Sequence, residues 1–174
     1  MESGPETAFP DYPPDPSGFT AIVEAHWGAV YRLLYHMTGN RHDAEELSQE
    51  TFLRAWRRMD TFQRGTNLRS WLLRIATNAG LDLHRKRKRS RSAALPDELP
   101  GREASPGHWL VTLEQTTLVR AAMKELSATT RAVFHLRATE SLPFREIGAM
   151  LGVSEEAARW HMHEARRRRV RHVR

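Results

Sequence analysis

The groups in this chain best suited to a chemical task are two basic runs, Arg85–Arg91 (RKRKRSR) and Arg166–Arg174, and the task is holding a polyanion. Lys plus Arg number 27 against 21 Asp plus Glu, a formal charge of +6. Two basic runs far apart in sequence suggest two contacts with one long polyanion. Each alone has a plainer reading. Arg85–Arg91 closes a predicted helix, where cations are stabilising anyway, and such a run also suits a solvated tail or a nuclear-localisation signal. The acids gather as well, at Asp43–Glu50 and Asp97–Glu103. Asp43, Glu46, Gln49 and Glu50 fall off the apolar stripe of their segment. They form either a solvated face or a docking face for a partner protein, and like charge keeps DNA away from it.

The segment Phe144–Met162 (FREIGAMLGVSEEAARWHM) reads as a helix, a tight turn at Gly152–Ser154 and a second helix. Gly152 can adopt positive φ at the turn, and Gly148 leaves room for a close crossing. Ile147, Leu151, Val153, Ala158 and Met162 would fill the small core between the helices. Such a helix-turn-helix sets its second helix in the major groove. An ordinary helical hairpin shares the pattern, but here the second helix runs straight into arginines that can grip phosphates, which favours DNA.

Other chemistry finds no support. The chain has no cysteine, which excludes disulfides, thiol catalysis and thiolate metal sites. Of its nine histidines, His161 and His163 point to different faces of one helix, and His26, His36 and His42 have no carboxylates arranged around them as a metal site. No phosphate-cradling glycine loop and no G-x-S-x-G elbow is present. The chain is read as no enzyme, with no cofactor and no metal. No apolar run is long enough to span a membrane, and Met1–Ser17 lacks the basic start of a signal peptide. A cytoplasmic protein fits.

The elements that must position these groups are all helical. The first segment is Phe19–Met37, ending at Gly39–Asn40. The second is roughly Asp43–Met59 and the third Leu68–Arg87, with Thr61–Asn67 (TFQRGTN) as a loop between them. Trp27, Trp56 and Trp71 fall on apolar stripes, so core packing is expected of all three, whereas Trp160 falls where it is partly exposed. Period is lost through the proline-broken stretch Ser90–Gly107, which reads as a linker. Further helices are expected over about 108–125, Ala128–Thr139, Pro143–Leu151 and Ser154–Arg169. The expected fold class is all-α: two small helical domains, 18–90 and 108–174, joined by a linker at 91–107 and preceded by a disordered tail at 1–17.

Three stretches together resemble the extracytoplasmic-function sigma factors of bacterial RNA polymerase. LYHMTGNRHDAEELSQETFLRAWRRM (Leu34–Met59) is similar to the first half of sigma region 2, and NLRSWLLRIATNAGLDLHRKRKR (Asn67–Arg89) to its second half. Met123–Arg168 is similar to sigma region 4. The resemblance implies reversible binding to core RNA polymerase, through the clamp helices of its largest subunit and its flap. It also implies recognition of promoter DNA and melting by capture of unpaired bases, with no bond chemistry. An anti-sigma factor is a further implied partner, and the free protein is expected to be a monomer. A stand-alone helix-turn-helix regulator is the alternative, for which the acidic helix and the TFQRGTN loop have no use.

Carried over residue by residue, the resemblance places Leu47, Gln49, Glu50 and Leu53 against polymerase. Phe62, Arg64, Thr66, Asn67, Arg74 and Asn78 fall at the −10 element, with Arg85, Lys86 and Arg87 near its phosphates. Arg145, Glu155, Arg159, Trp160, His163, Glu164, Arg166 and Arg167 fall at the −35 element. The chain departs from the family where region 4 usually reads G-T-V-K-S-R-L-H-R-A-R. Here Glu156–Arg166 is EAARWHMHEAR, with Trp160, His161 and Glu164 in place of Ser, Arg and Arg. The usual −35 preference therefore does not carry over.

Overall fold

The computed structural model describes residues 16–63, 65–93 and 126–171. The tail expected before them, Arg64, most of the expected linker and the helix expected at 108–125 lie outside the described residues. Within them the chain forms six α-helices and no strand: α1 (Pro16–Thr38), α2 (Arg41–Arg57), α3 (Leu68–Ala93), α4 (Ala128–Ala138), α5 (Phe144–Leu151) and α6 (Glu155–Arg171). A 3-10 turn at Met59–Thr61 follows α2.

The first unit is a three-helix bundle. Val30, Leu33, Leu34 and Met37 of α1 face Ala44, Leu47, Phe52 and Ala55 of α2 and Leu72, Leu73, Ala76 and Ala79 of α3, all buried. This spacing is the three-and-four stripe of an amphipathic helix. Asn40 caps α2 by accepting from the Asp43 backbone N–H at 3.1 Å. Two buried hydroxyls on α2 are satisfied within the helix, Ser48 donating to Ala44 O and Thr51 to Leu47 O. α3 outlasts its expected end at Arg87, because its basic tail consists of good helix formers.

The second unit packs α5 and α6 under α4, with Val133, Leu136, Ile147, Leu151, Ala158 and Met162 inside. The α5–α6 turn explains both glycines in it. Gly152 has φ +67°, and a side chain at Gly148 would lie 2.7 Å from Val153 O. Gly148 thus makes room for the turn backbone rather than for the second helix itself. Ser154 caps α6 by accepting from the Ala157 N–H at 3.0 Å.

The two units also pack on each other, α1 against α4 and α3 against α4 and α5. The joint is polar. Arg131 donates to Met37 O at 2.7 Å, satisfying a carbonyl left open at the end of α1. Arg69 at the start of α3 donates to Glu140 Oε2 at 2.6 Å, and the Glu140 side chain is only 2% exposed. His135 lies behind it, Nε2 3.8 Å from Glu140 Oε1, with its ring 4.8 Å from that of His36. Burial, with His36, Arg32 and Arg69 nearby, pushes the His135 pKa down to about 3, so its imidazole is neutral near pH 7.

No described helix is long and apolar enough to cross a membrane. Among the described residues, no group of His, Asp and Glu is placed to hold a metal ion.

The joint can be probed from both partners. Arg69→Ala leaves a sealed carboxylate without its cation, whereas Glu140→Ala leaves an arginine that is already 42% exposed. The first should cost about 2 kcal/mol and the second under about 1 kcal/mol in thermal denaturation of the full chain. Equal costs would mean that the pair contributes nothing specific. Acid should loosen the fold through His135. The unfolded chain takes up the proton near pH 6.5 while the folded one resists it to about pH 3. Stability attributable to this group therefore falls as pH drops below 6.5, by at most about 1.4 kcal/mol per pH unit. His135→Gln should flatten the melting profile between pH 7 and pH 5, and an unflattened profile would assign the acid sensitivity elsewhere.

Candidate nucleic-acid interface

Three exposed surfaces carry the residues singled out in the sequence. The first is the outer face of α2. Gln49 is exposed and Leu53 is 56% exposed, an unusual position for a leucine in a small bundle. Glu50 lies beside them and pairs with Arg54 at 2.6 Å. Leu47 does not join this face. It is 7% exposed and belongs to the core, because it sits on the helix stripe that meets α1 and α3. Asp43, expected on the polar face, is likewise buried. Trp56 corrects the opposite expectation. It is 42% exposed, one turn after Leu53, and meets Phe19 edge-on at 4.9 Å. Its place at the margin of the apolar stripe is the only signal in the sequence, and it fits a half-covered surface as well as a core. Trp27 and Trp71 are partly buried, packed on Phe52 and Phe62 respectively.

The second surface runs along α3. Asn67, Arg74 and Asn78 are all exposed. Their spacing of seven and then four residues puts them on one helical face. Asn67 also caps α3, its Oδ1 accepting from the Ser70 N–H at 3.1 Å, which leaves its amide N–H groups pointing outward. Thr66 is exposed and donates to Gln63 O at 2.6 Å, holding the loop in a turn. Arg64 lies outside the described residues.

Two expected members of this surface are committed to the fold instead. Phe62 is 9% exposed, its ring 5.3 Å from that of Trp71, so it plugs the bundle beneath the loop. Arg87 holds both carboxylate oxygens of buried Asp43, at 2.8 Å each, and so fastens the far half of α3 to the start of α2. Such a bidentate pair is strong and directional. Arg85 pairs with Asp82 at 3.0 Å, but both are well exposed and the pair is weak. Lys86 is exposed.

The third surface is the outward face of α6. Ala158, Met162 and Ala165 turn inward, so Glu156, Arg159, Trp160, His163, Arg166 and Arg167 turn outward. Arg145 on α5 is also exposed. Arg159 is fixed on two sides, paired with Glu155 and lying over the Phe144 ring at 5.0 Å, a ring it shares with Arg137. His161 turns back to the second unit, its Nδ1 2.9 Å from Thr130 Oγ1. Glu164 has the side chain whose expected role changes most. Its side chain is 13% exposed and holds Arg168 at 2.6 Å and Arg167 at 3.1 Å. The Arg168 hydrogen bond, with Arg167 beside it, keeps the carboxyl below its ordinary pKa. The carboxylate is therefore turned along its own helix and occupied, in no position to accept from a base.

Glu164→Gln should accordingly release cationic charge rather than alter base preference. Affinity for any duplex should rise, and the slope of log K against log salt should steepen by up to about 1 for each additional phosphate neutralised. A changed preferred sequence with an unchanged salt slope would restore a base-reading role for Glu164.

Comparisons with known proteins agree with this division into two units. The family model of Sigma-70 region 2 matches residues 22–90, and that of Sigma-70 region 4 matches residues 122–172. The chain is 40% identical over 148 residues to the ECF RNA polymerase sigma factor SigE of Mycolicibacterium smegmatis, covering 83% of this chain but 57% of that one. It is 30% identical over 164 residues to the ECF RNA polymerase sigma factor SigW of Bacillus subtilis, covering 87% of each. Its fold is similar to that of the sigma factor RpoE, solved in complex with the anti-sigma factor NepR, from Bartonella quintana. The TM-score is 0.75 at 22% identity, over 89% of this chain and 96% of that one.

Proposed function

The chain belongs to the extracytoplasmic-function family of RNA polymerase sigma factors, and we propose that it directs core polymerase to promoters by dividing the work among its three exposed surfaces. The outer face of α2, with Leu53 and Trp56 flanked by Gln49 and Glu50, docks on the clamp helices of the polymerase. Asn67, Arg74 and Asn78 on α3, with the loop before it, receive an unpaired base of the −10 element. Lys86 and Arg85 lie along the same strand's phosphates. The outward face of α6 enters the major groove of the −35 element, and the second unit rests on the polymerase flap.

The observation that supports this reading best is the pairing of two different surfaces in one chain. α6 presents a cationic face suited to duplex DNA. α3 presents amides and an arginine suited to a single base held out of its stack, which costs a few kcal/mol and needs polar groups to receive it. A stand-alone duplex-binding regulator has no use for the second of these, nor for the apolar patch on α2. The protein carries out no bond chemistry in this role. It acts where core polymerase works, in the cytoplasm, as a monomer when free, and an anti-sigma factor restrains it there.

Two variants test the assignment together. Gln49→Lys with Glu50→Lys should cost little stability, since both side chains lie outside the core and the Glu50–Arg54 pair is worth only about 0.3–0.5 kcal/mol. Co-purification with core polymerase should be lost. Asn78→Ala should leave polymerase binding intact and lower the permanganate reactivity of promoter thymines. Loss of both properties in Asn78→Ala, or of neither in the lysine variant, would overturn the division of labour.

A further inference from the structure

Trp160 is 61% exposed, more so than either Leu53 or Trp56. It stands in the middle of the outward face of α6, with Arg159 beside it and His163, Arg166 and Arg167 over the next two turns. An indole left this open forgoes a large apolar burial, since covering one removes about 150–250 Å² from water. It is also braced. Its ring meets His161 edge-on at 5.1 Å. His161 is held in turn by Thr130 Oγ1, which lies 2.8 Å from Ser127 Oγ at the start of α4. The helix under the indole is thus tied to the body of the second unit, and the side chain projects from a fixed base.

The polar neighbours that could read bases in its place are already engaged. Arg159 is paired with Glu155 and stacked on Phe144, and Glu164 holds Arg167 and Arg168. What remains central on this face is an apolar plate with cations around it. The major groove offers one apolar group to such a plate, the C5 methyl of thymine, while the surrounding cations suit the phosphates that flank it.

We propose that Trp160 sets the −35 preference of this protein by covering a thymine methyl group in the major groove. The proposal rests on the reading of α6 as the duplex-binding helix. It replaces hydrogen-bond readout at this point with apolar readout. A thymine should therefore be preferred for its methyl group, and the hydrogen-bonding edge of the base should matter less there.

The test uses holoenzyme reconstituted from the full chain and core polymerase. A promoter library randomised at the −35 element gives the preferred sequence. Each thymine in it is then replaced by deoxyuridine, which deletes the methyl and keeps the hydrogen-bonding edge. At one position the wild-type affinity should fall about fourfold, the worth of one buried methyl-sized group. Trp160→Ala should bind the thymine duplex more weakly and should no longer distinguish thymine from uracil there. Its helicity and melting should match the wild type, because the side chain supports no core. Wild-type indifference to the methyl at every thymine would overturn the proposal. So would a selected element without thymine, or discrimination retained in Trp160→Ala. Arg166→Ala separates this from failure of the underlying reading. It should weaken binding to all duplexes alike. If it and Trp160→Ala both left duplex affinity unchanged, α6 would not face DNA at all, and a protein partner would be the occupant of the indole.

Discussion

The carboxylate of Glu140 has almost no access to water, and an ionised group in that position must be met by a cation. Arg69 meets it from the other unit of the chain. That single requirement fixes much of the joint. It brings the start of α3 to the turn after α4, where Ser141 takes the left-handed conformation and Leu142 N–H bonds back to Leu136 O. It also closes His135 into a place where it stays uncharged. Arg131 completes the contact from the opposite side by ending α1 with a hydrogen bond. The two bundles are each small, and a small core supplies little stability by itself. A directional polar contact between them fixes their orientation in a way that apolar contact alone does not.

The same pairing of carboxylate with arginine recurs through the molecule and decides which cations are available to a polyanion. A chain with this many arginines faces two demands. Some must be bound to its own acids for the helices to dock, and others must remain open. Asp43 takes Arg87, Glu140 takes Arg69, and Glu164 takes Arg167 and Arg168. Arg74, Arg145 and Arg166 stay on exposed faces. The formal charge is therefore a poor guide to the charge offered to DNA, and position along a helix is a better one. Burial of the carboxylate is what distinguishes a structural pair from a weak surface one.

This is also where reading the sequence succeeds and where it stops. The helices are legible because each buries one stripe. The expected segments Phe19–Met37, Ala128–Thr139 and Pro143–Leu151 differ from the observed helices by only a few residues at each end. Gly152 and Ser154 are legible because the backbone at a tight turn restricts the residue type locally. The fates of Asp43, Arg87 and Glu164 are not. Asp43 and Arg87 are 44 residues apart, and nothing local tells a solvated acid from one that another helix will cover. Phe62 reads as a loop residue because the loop around it is polar, yet a single aromatic ring can turn inward from such a loop. Trp56 departs in the reverse direction, since a stripe's margin is defined by how closely the neighbouring helix approaches.

Recognition on α6 is set apart from folding by the helix itself. Ala158, Met162 and Ala165 satisfy the core from one side, and they are small or flexible enough to accept close packing against α4 and α5. The opposite side is then under no packing constraint, so its chemistry is free to differ from that of related proteins without cost to the fold. Trp160 and the engaged Glu164 occupy that side and its flank. A bulky apolar residue there would be a liability in a protein that left it in water, because exposed indole surface invites unspecific association. Its position among arginines limits that liability, since the surrounding charge keeps apolar surfaces away until a polyanion neutralises it. The charge thus favours one kind of occupant before any base is read, and the indole then distinguishes among sequences of that kind.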